Sequence, residues 1–173
     1  MKRTIFMIMV LVFLSATPTV CATDIAHNFN NAYPEVNIAS GNKSCTITQA
    51  SGIYTYTCGG SAEFALVNSQ KRLKMTEKDD YVTLSPAIEN LSELTINYTP
   101  IYHIAIYIST NNGATWEGPL QDSRLSYSAS AVKAIIPKNT CSVKIVHTDG
   151  TDISISMITY TQSDCNCFKY IPE

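Results

Sequence analysis

Two alternating apolar segments in the middle of the chain give the clearest structural signal in the sequence. Alternate positions hold Leu94, Ile96 and Tyr98 in the first segment and three isoleucines within residues 104–108 in the second. Successive side chains of a β-strand point to opposite faces of the sheet, so this spacing predicts strands that are buried on one side. We interpret the two segments as central strands of an antiparallel sandwich.

A hairpin is predicted over residues 44–59, where Ser51-Gly52 separates two threonine-rich arms. If this pair forms a two-residue loop, Cys45 lies directly opposite Cys58 in a non-hydrogen-bonded pair, with Cα atoms about 4.5 Å apart. That separation is within the range that a disulfide tolerates, so we predict a Cys45–Cys58 bond. The same face of the hairpin also carries three apolar or aromatic side chains: Ile47, Tyr54 and Tyr56.

Several shorter segments continue the alternation along the chain. Three short strands are predicted within residues 63–84, and a change of phase near Val132 indicates a β-bulge. This succession of strands predicts an all-β fold, which we interpret as an antiparallel two-sheet β-sandwich with a jelly-roll-like form. Residues 23–173 are long enough to form a single β-sandwich domain with its own core.

The last hairpin is predicted over residues 141–160. A three-residue loop at 149–151 sets Val143 against Met157 and Ile145 against Ile155, so that apolar residues oppose apolar residues. A two-residue loop would instead oppose an isoleucine to a serine, which makes the three-residue loop the better register.

Residues 1–22 have the pattern of a signal peptide. Lys2 and Arg3 precede an apolar run over residues 5–14, and the small residues at 20–22 fit cleavage before Thr23. A lipoprotein lipidated at residue 21 is the alternative interpretation. The apolar run is too short to span a bilayer, so we expect an exported protein without a transmembrane segment, in the periplasm, outside the cell or at its surface.

Export would place the cysteines in an oxidising compartment, where disulfides persist. Removal of the leader leaves five of them, at positions 45, 58, 141, 165 and 167. An odd number requires that at least one is free or pairs between molecules. Cys165 and Cys167 follow the final strand, within reach of Cys141, and we predict that Cys141 pairs with one of these two.

The charge of the chain argues against a polyanionic nucleic-acid partner. Only 15% of the 173 residues are charged, and the formal net charge is −2. Without Lys2 and Arg3, 10 basic residues face 14 acidic ones, which gives −4. Nucleic-acid binding needs a concentrated cationic face, and no basic run extends beyond residues 71–74.

No catalytic or cofactor motif is recognisable in the sequence. The nucleophile elbow, the zinc-peptidase helix motif, the phosphate-binding glycine loop and zinc-ligand spacing are all absent, and the three histidines are far apart. Asp79 and Asp80 are candidate calcium ligands because calcium prefers carboxylate oxygens. Adjacent carboxylates on a turn are also commonly only solvated, so both interpretations stand.

The second apolar segment ends in Ser-Thr-Asn-Asn-Gly-Ala-Thr-Trp, residues 109–116. This octapeptide resembles the Asp-box, with Asn111 at the position of the aspartate. We expect the Asn111 side chain to bond to the backbone, Gly113 to adopt positive φ and Trp116 to pack under the turn. Trp116 is then a turn anchor, with a sugar platform as the alternative role.

Three stretches of the sequence are similar to secreted jelly-roll β-sandwich domains of Bacteroidetes: Tyr-Val-Thr-Leu-Ser-Pro at 81–86, Asn-Leu-Ser-Glu-Leu-Thr-Ile at 90–96, and the turn at 109–116. The resemblance implies a carbohydrate-binding module, because such domains accompany glycan-processing enzymes. Ten tyrosines and one tryptophan among many hydroxyl and amide side chains suit such a role, since sugar faces stack on rings. The candidate binding residues are Tyr102, Tyr107, Trp116 and Tyr127.

Two other functions stay open from the sequence. The protein could be an exported interaction or adhesion protein that joins a partner through a sheet edge or an unpaired cysteine. It could also be a small polysaccharide lyase or hydrolase, which would require carboxylates, or a carboxylate with Lys or Arg, in one cleft. The non-catalytic glycan-binding module is our leading hypothesis.

Overall fold

The computed structural model describes residues 23–31, 41–88, 90–99 and 104–163. The predicted leader, Tyr102, Cys165 and Cys167 lie outside these ranges. Within these ranges, two short 3-10 helices occupy Phe29–Asn31 and Asp122–Arg124. The strands are β1 (Thr23–Asn28), β2 (Ser44–Gln49), β3 (Gly52–Gly59), β4 (Glu63–Val67), β5 (Gln70–Met75), β6 (Tyr81–Ser85), β7 (Leu91–Thr99), β8 (Ile104–Ser109), β9 (Leu125–Tyr127), β10 (Ala131–Ile135), β11 (Ser142–His147) and β12 (Ile153–Gln162).

The strands form two antiparallel sheets that pack face to face. The seven-stranded sheet has the order β4-β5-β12-β7-β10-β9, and β1 pairs with the second half of β12. The five-stranded sheet has the order β2-β3-β6-β11-β8. The predicted all-β, two-sheet antiparallel sandwich is therefore confirmed. In the described residues no helix is long and apolar enough to cross a membrane.

The core lies between the inner faces of the two sheets. Leu94, Ile96 and Tyr98 of β7 are buried, and so are the three alternate isoleucines of β8, as the alternation predicts. Each such side chain contributes roughly 1.5–3 kcal/mol of hydrophobic free energy on burial. The predicted position of the second segment is wrong, however. Only β7 is central, whereas β8 is the last strand of the other sheet.

The β2–β3 hairpin forms in a register that differs from the predicted one. Gln49 pairs with Gly52, so the loop is one residue earlier, and Cys45 lies opposite Tyr56 rather than Cys58. Cys58 instead pairs with Val82 of β6. Moving the loop by one residue shifts every cross-strand pair by two positions, which leaves each side chain on its predicted face. Both cysteines are accordingly buried, but as separate thiols without the predicted disulfide.

The last predicted hairpin is also wrong, because β11 and β12 belong to opposite sheets. β11 pairs with β6 and β8, and β12 pairs with β5, β7 and β1. The chain between them crosses the sandwich instead of turning back on the same sheet. The inner faces of both strands are apolar, so their alternation fits packing across the core as well as pairing within one sheet.

The change of phase near Val132 reflects a turn and not a bulge. Val132 pairs with Tyr127, and the amide of Ser128 donates to the carbonyl of Ala131 over 2.8 Å, which closes a tight β9–β10 hairpin. A true irregularity occurs elsewhere, in β12 between Ile155 and Met157. The three strands predicted within residues 63–84 are present as β4, β5 and β6.

A polar aromatic cluster lies inside the core, around His27. The imidazole Nδ1 is 2.7 Å from the hydroxyl of Tyr56, which in turn donates to the hydroxyl of Tyr160 over 3.1 Å. The ring of Tyr54 is 4.7 Å from that of His27. Desolvation lowers the pKa of His27 to about 4, and burial raises the pKa of Tyr56 and of Tyr160 above their ordinary values. We call these four residues the His27 cluster, and near neutral pH His27, Tyr56 and Tyr160 are uncharged.

Candidate functional site

The turn after β8 is organised by its own side chains. The Oδ1 atom of Asn111 accepts a hydrogen bond from the amide of Thr115 over 2.9 Å, and Ser109 Oγ accepts from the amide of Gly113 over 2.9 Å. Gly113 has φ of +84°, and a Cβ at that position would lie 3.2 Å from the Trp116 ring. The local geometry predicted for this turn is thus present. It fixes the tryptophan close to the backbone of the turn.

The segment after Trp116 returns along the free edge of β8. Glu117 and Ile108 exchange backbone hydrogen bonds of 2.8 and 2.9 Å, and the amide of Leu120 donates to the carbonyl of Ile106 over 2.8 Å. Gly118 permits this approach, because a Cβ there would lie 3.1 Å from that carbonyl oxygen. Since paired residues of antiparallel strands point to the same side, Trp116 points to the opposite side from Ile108, the outer face of the sheet.

A polar row crosses that outer face of the five-stranded sheet. Successive cross-strand pairs join Ser44 to Thr57, Thr57 to Thr83, Thr83 to Lys144, and Lys144 to Tyr107. These side chains face away from the core because each is next to an inward-facing residue on its strand, as Ser44 is to Cys45. The row therefore changes from hydroxyl groups at the β2 end to a lysine and a tyrosine at the β8 end.

Three aromatic rings surround the lysine at that end. Lys144 Nζ lies 5.2 Å from the ring centroid of Trp116, 5.4 Å from Tyr81 and 5.5 Å from Tyr107. These distances are within the range of cation–π attraction. We call these four residues the Lys144 cluster.

The position of Tyr81 depends on a glycine in the neighbouring strand. Tyr81 pairs with Gly59 of β3, and its ring lies over the Gly59 backbone, in the space that a Cβ would fill. Tyr81 is nevertheless 38% exposed. Its ring thus rests on the sheet on one side and is open to solvent on the other.

A surface cavity of about 620 Å³ opens beside the Lys144 cluster. Its walls are the segment of residues 83–87 and the turn around Asn112 and Gly113, and the side chains of Tyr81, Trp116, Ser142 and Lys144 complete its lining. Among the described residues that line it, Lys144 carries the only formal charge. Its combination of aromatic, hydroxyl, amide and ammonium groups suits a hydroxylated ligand with an apolar face.

The structure brings together only part of the set of predicted binding residues. Tyr107 and Trp116 belong to the Lys144 cluster, and both are half-buried. Tyr127 lies on β9, at an edge of the seven-stranded sheet, and is therefore not part of this cluster. Sequence reasoning missed Tyr81 and Lys144. The alternation of the strand indicates that Lys144 faces outward between two buried neighbours. Its proximity to the rings, however, depends on pairing between distant segments.

The two candidate calcium ligands, Asp79 and Asp80, have different surroundings in the structure. The Asp80 carboxylate is buried and accepts backbone hydrogen bonds from Ser61, Thr76 and Glu77. Burial alone would raise the pKa of Asp80, but these amide donors lower it below the ordinary value. Its oxygens therefore brace the turn before β6. Asp79 is exposed, and within the described residues no group of three potential metal-ligating acids, histidines or cysteines occurs.

The described cysteines are all free thiols. Burial raises the pKa of Cys45 to about 11 and that of Cys58 to about 12, so both stay protonated. Cys141 is half-buried beside the turn, where its sulfur accepts from the amide of Asn112 at 3.3 Å and its thiol donates to the carbonyl of Ser109 at 3.4 Å. Its predicted partners, Cys165 and Cys167, lie outside the described residues.

A second groove, of about 410 Å³, lies on the seven-stranded sheet. It contains Arg72, Lys74 and Asp152, the combination that an enzymatic interpretation would require. Lys74 Nζ is 3.0 Å from the Asp152 carboxylate, whose side chain is 62% exposed. An ion pair this exposed is a common surface feature and contributes little free energy.

Comparison of the chain with family models finds no match, and no curated protein matches either. Two solved structures are similar in fold. The K2 cleaved adhesin domain of Lys-gingipain has 17% identity and a TM-score of 0.46, over 80% of this chain and 98% of that chain. The low-affinity xylan-binding module CBM86 of the gut symbiont Roseburia intestinalis has 11% identity and a TM-score of 0.42, over 82% and 96%. Neither likeness assigns a function.

Proposed function

We propose that this protein is an exported, non-catalytic glycan-binding module whose binding site is the Lys144 cluster with its cavity. The observation that carries the proposal is the group of three partly exposed rings beside a cavity lined by hydroxyl, amide and ammonium groups. Apolar faces of pyranose rings stack on aromatic rings, while sugar hydroxyls need directed polar partners. Both requirements are met on one side of one sheet.

Each part of the site has a distinct role in this proposal. Trp116 and Tyr81 supply surfaces on which a sugar ring can stack, and Lys144 supplies hydrogen-bond donors between them. Asn112 and Ser142 at the cavity wall offer amide and hydroxyl groups. Because the rings are already held by the turn and by Gly59, binding requires little ordering of side chains, which favours affinity.

The interaction hypothesis finds less support at this end of the molecule. The backbone of residues 117–120 occupies the amide and carbonyl of Ile108 and the carbonyl of Ile106 on the free edge of β8, which leaves less of this edge for a partner strand. Cys141 is hydrogen-bonded within the turn. A disulfide-linked dimer on non-reducing gels would favour the interaction protein over the glycan-binding module.

The proposal is tested with a glycan array on the chain from Thr23 and with single-ring variants. Trp116→Ala should weaken glycan binding at least tenfold, about 1.4 kcal/mol, because it removes the largest stacking surface. Trp116→Phe, which keeps a ring against the turn, should retain part of the binding. Tyr127→Ala is the matched control, since this partly exposed tyrosine lies on the other sheet and its loss should leave binding unchanged.

Three outcomes would reject the proposal. The first is the absence of binding to all plant, mucin and bacterial glycans on the array. The second is glycan binding that Tyr127→Ala abolishes and Trp116→Ala leaves intact. Degradation of any bound polysaccharide by the wild-type protein, lost on Asp152→Asn, would point instead to an enzyme that uses the second groove. Thermal unfolding of each variant distinguishes loss of binding from loss of fold.

A further inference from the structure

We infer that the ligand of the Lys144 cluster is an acidic glycan, in which a uronate carboxylate binds the Lys144 ammonium. This inference rests on the proposed function and specifies the class of sugar that the site takes. Its starting point is a charge without a counter-ion: among the described residues no carboxylate forms an ion pair with Lys144.

The surroundings of Lys144 hold the ammonium in place without neutralising it. Three ring faces attract the cation electrostatically. They carry no net negative charge, however, so they neither neutralise the ammonium nor satisfy its three N–H donors as an anion would. The rings also limit the rotamers of the long side chain, so the side chain loses less conformational entropy when a ligand binds. The lysine is thus an oriented donor that lacks a strong acceptor among the residues that the structure describes.

The charges near the site favour an anion over a neutral hydroxyl group. The described lining of the cavity contains no Asp or Glu that would repel a carboxylate. Glu117 follows Trp116 in the chain, but it pairs with Ile108 and so points to the other side of the sheet. A hydrogen bond from an ammonium to a carboxylate is roughly twice as strong as a bond between neutral groups.

The outer face of the sheet shows that the lysine is a local feature. Towards β2 the same row continues as Thr83, Thr57 and Ser44, which are neutral hydroxyl residues. The positive charge coincides with the position where the rings converge and the cavity opens. A sugar that stacks on Trp116 or Tyr81 would place a substituent of its ring near Nζ, and a carboxylate is the substituent that this group binds best.

The test compares uronate oligosaccharides with their own methyl esters, which have the same sugars and linkages but no charge. Oligogalacturonate, oligoalginate and glucuronoxylan fragments are titrated by calorimetry into the chain from Thr23, each in both forms. For at least one pair we expect the acid to bind tenfold or more tightly than its ester. Raising the salt concentration should narrow this difference, since screening weakens a partly exposed ion pair.

Two lysine variants locate the charge responsible. Lys144→Gln should bring the acid and the ester to the same affinity while leaving residual binding through the rings. Lys133→Gln makes the same change of charge on the other sheet, where Lys133 pairs with Glu93 at 2.7 Å, and should keep the acid preference. Thermal unfolding of both variants checks that each remains folded.

The outcomes separate the inference from the proposed function. Equal binding of acid and ester by the wild-type chain, sensitive to Trp116→Ala, would overturn the acidic ligand and leave the glycan-binding module standing. An acid preference that survives Lys144→Gln would also overturn the inference, because the charge would lie elsewhere. Failure to bind any glycan, charged or neutral, would overturn the proposed function and the inference together.

Discussion

The His27 cluster and the Lys144 cluster are built from similar parts and behave in opposite ways. Each surrounds a nitrogen base with three aromatic rings, at 4.7–5.5 Å in the first and 5.2–5.5 Å in the second. The first lies wholly within the core, where desolvation keeps His27 neutral and the hydroxyl of Tyr56 forms a hydrogen bond with its Nδ1. The second lies on the outer face of a sheet, where Lys144 is only half-buried among its three rings.

The difference shows what aromatic neighbours can and cannot do for a cation. Rings attract a positive charge, but they do not replace the hydration that a buried charge loses. Around His27 the base is therefore neutral and the cluster contributes packing. Lys144 is only half-buried, and no carboxylate of the described residues forms an ion pair with it. Burial, more than the identity of the neighbours, separates the structural cluster from the cluster that we propose as a binding site.

Truncation of one ring in each cluster should give the largest contrast in stability. Tyr160→Ala removes a fully buried ring and the acceptor of the Tyr56 hydroxyl, so it should lower the free energy of unfolding by about 3–5 kcal/mol. Tyr107→Ala removes a half-buried ring from the surface and should cost less than about 1 kcal/mol. Urea unfolding of both variants measures the two losses. Equal losses would contradict the contrast between the clusters.

Acidification should act on the His27 cluster with a defined sign. The pKa of His27 is about 4 in the folded protein and near its ordinary 6.5 in the unfolded chain, so between these values the unfolded state binds more protons. The stabilisation is complete above pH 6.5 and declines as the pH falls to 4, by about 3 kcal/mol in total. Urea unfolding at a series of pH values measures it.

The histidine variant provides the control for this pH dependence. His27→Leu should be less sensitive to pH between 6.5 and 4, although its absolute stability will differ because the hydroxyl of Tyr56 loses a partner. Asp80 acts in a lower window. Its folded pKa is lowered, so its contribution is present above its ordinary pKa and is lost as the pH falls below it. A wild-type curve that is flat from pH 6.5 to 4 would contradict the buried neutral histidine.

A single added methyl group should sharpen the comparison with the smallest change in side-chain volume. Gly59→Ala places a Cβ where the Tyr81 ring lies, so the ring must rotate off the sheet and one wall of the site is lost. We expect glycan binding to weaken severalfold at a stability cost of about 1 kcal/mol. Gly150→Ala is the matched control, since its Cβ would meet nothing within 4 Å. Similar glycan affinities in these two variants would show that Tyr81 does not contribute to the site.

The sequence predicted which side chains face the core much better than which strands are neighbours. A two-residue slip between β2 and β3 keeps Cys45 and Cys58 on the inner face, so alternation alone cannot detect the error. The same limit applies to β11, whose apolar residues face the core whether it pairs with β12 or lies across from it. Periodicity reports the face of each residue, and pairing between distant segments is set by the whole fold.

This distinction also explains which site residues were found. Tyr107 and Trp116 are close in sequence to a recognisable turn, so local reasoning selected both. Tyr81 and Lys144 are 63 residues apart in the chain. Only the strand order β6-β11-β8 places both of them beside the turn. The missed residues are therefore those that reach the site through long-range pairing.

The backbone segment that follows Trp116 has a consequence for crowded conditions. By occupying the amide and carbonyl of Ile108 and the carbonyl of Ile106, residues 117–120 end the five-stranded sheet beside the cavity. These bonds hinder a neighbouring copy from adding a strand at this end of the sheet. Closely packed molecules would thus keep the cavity side accessible, as binding of a large glycan in the proposed site would require.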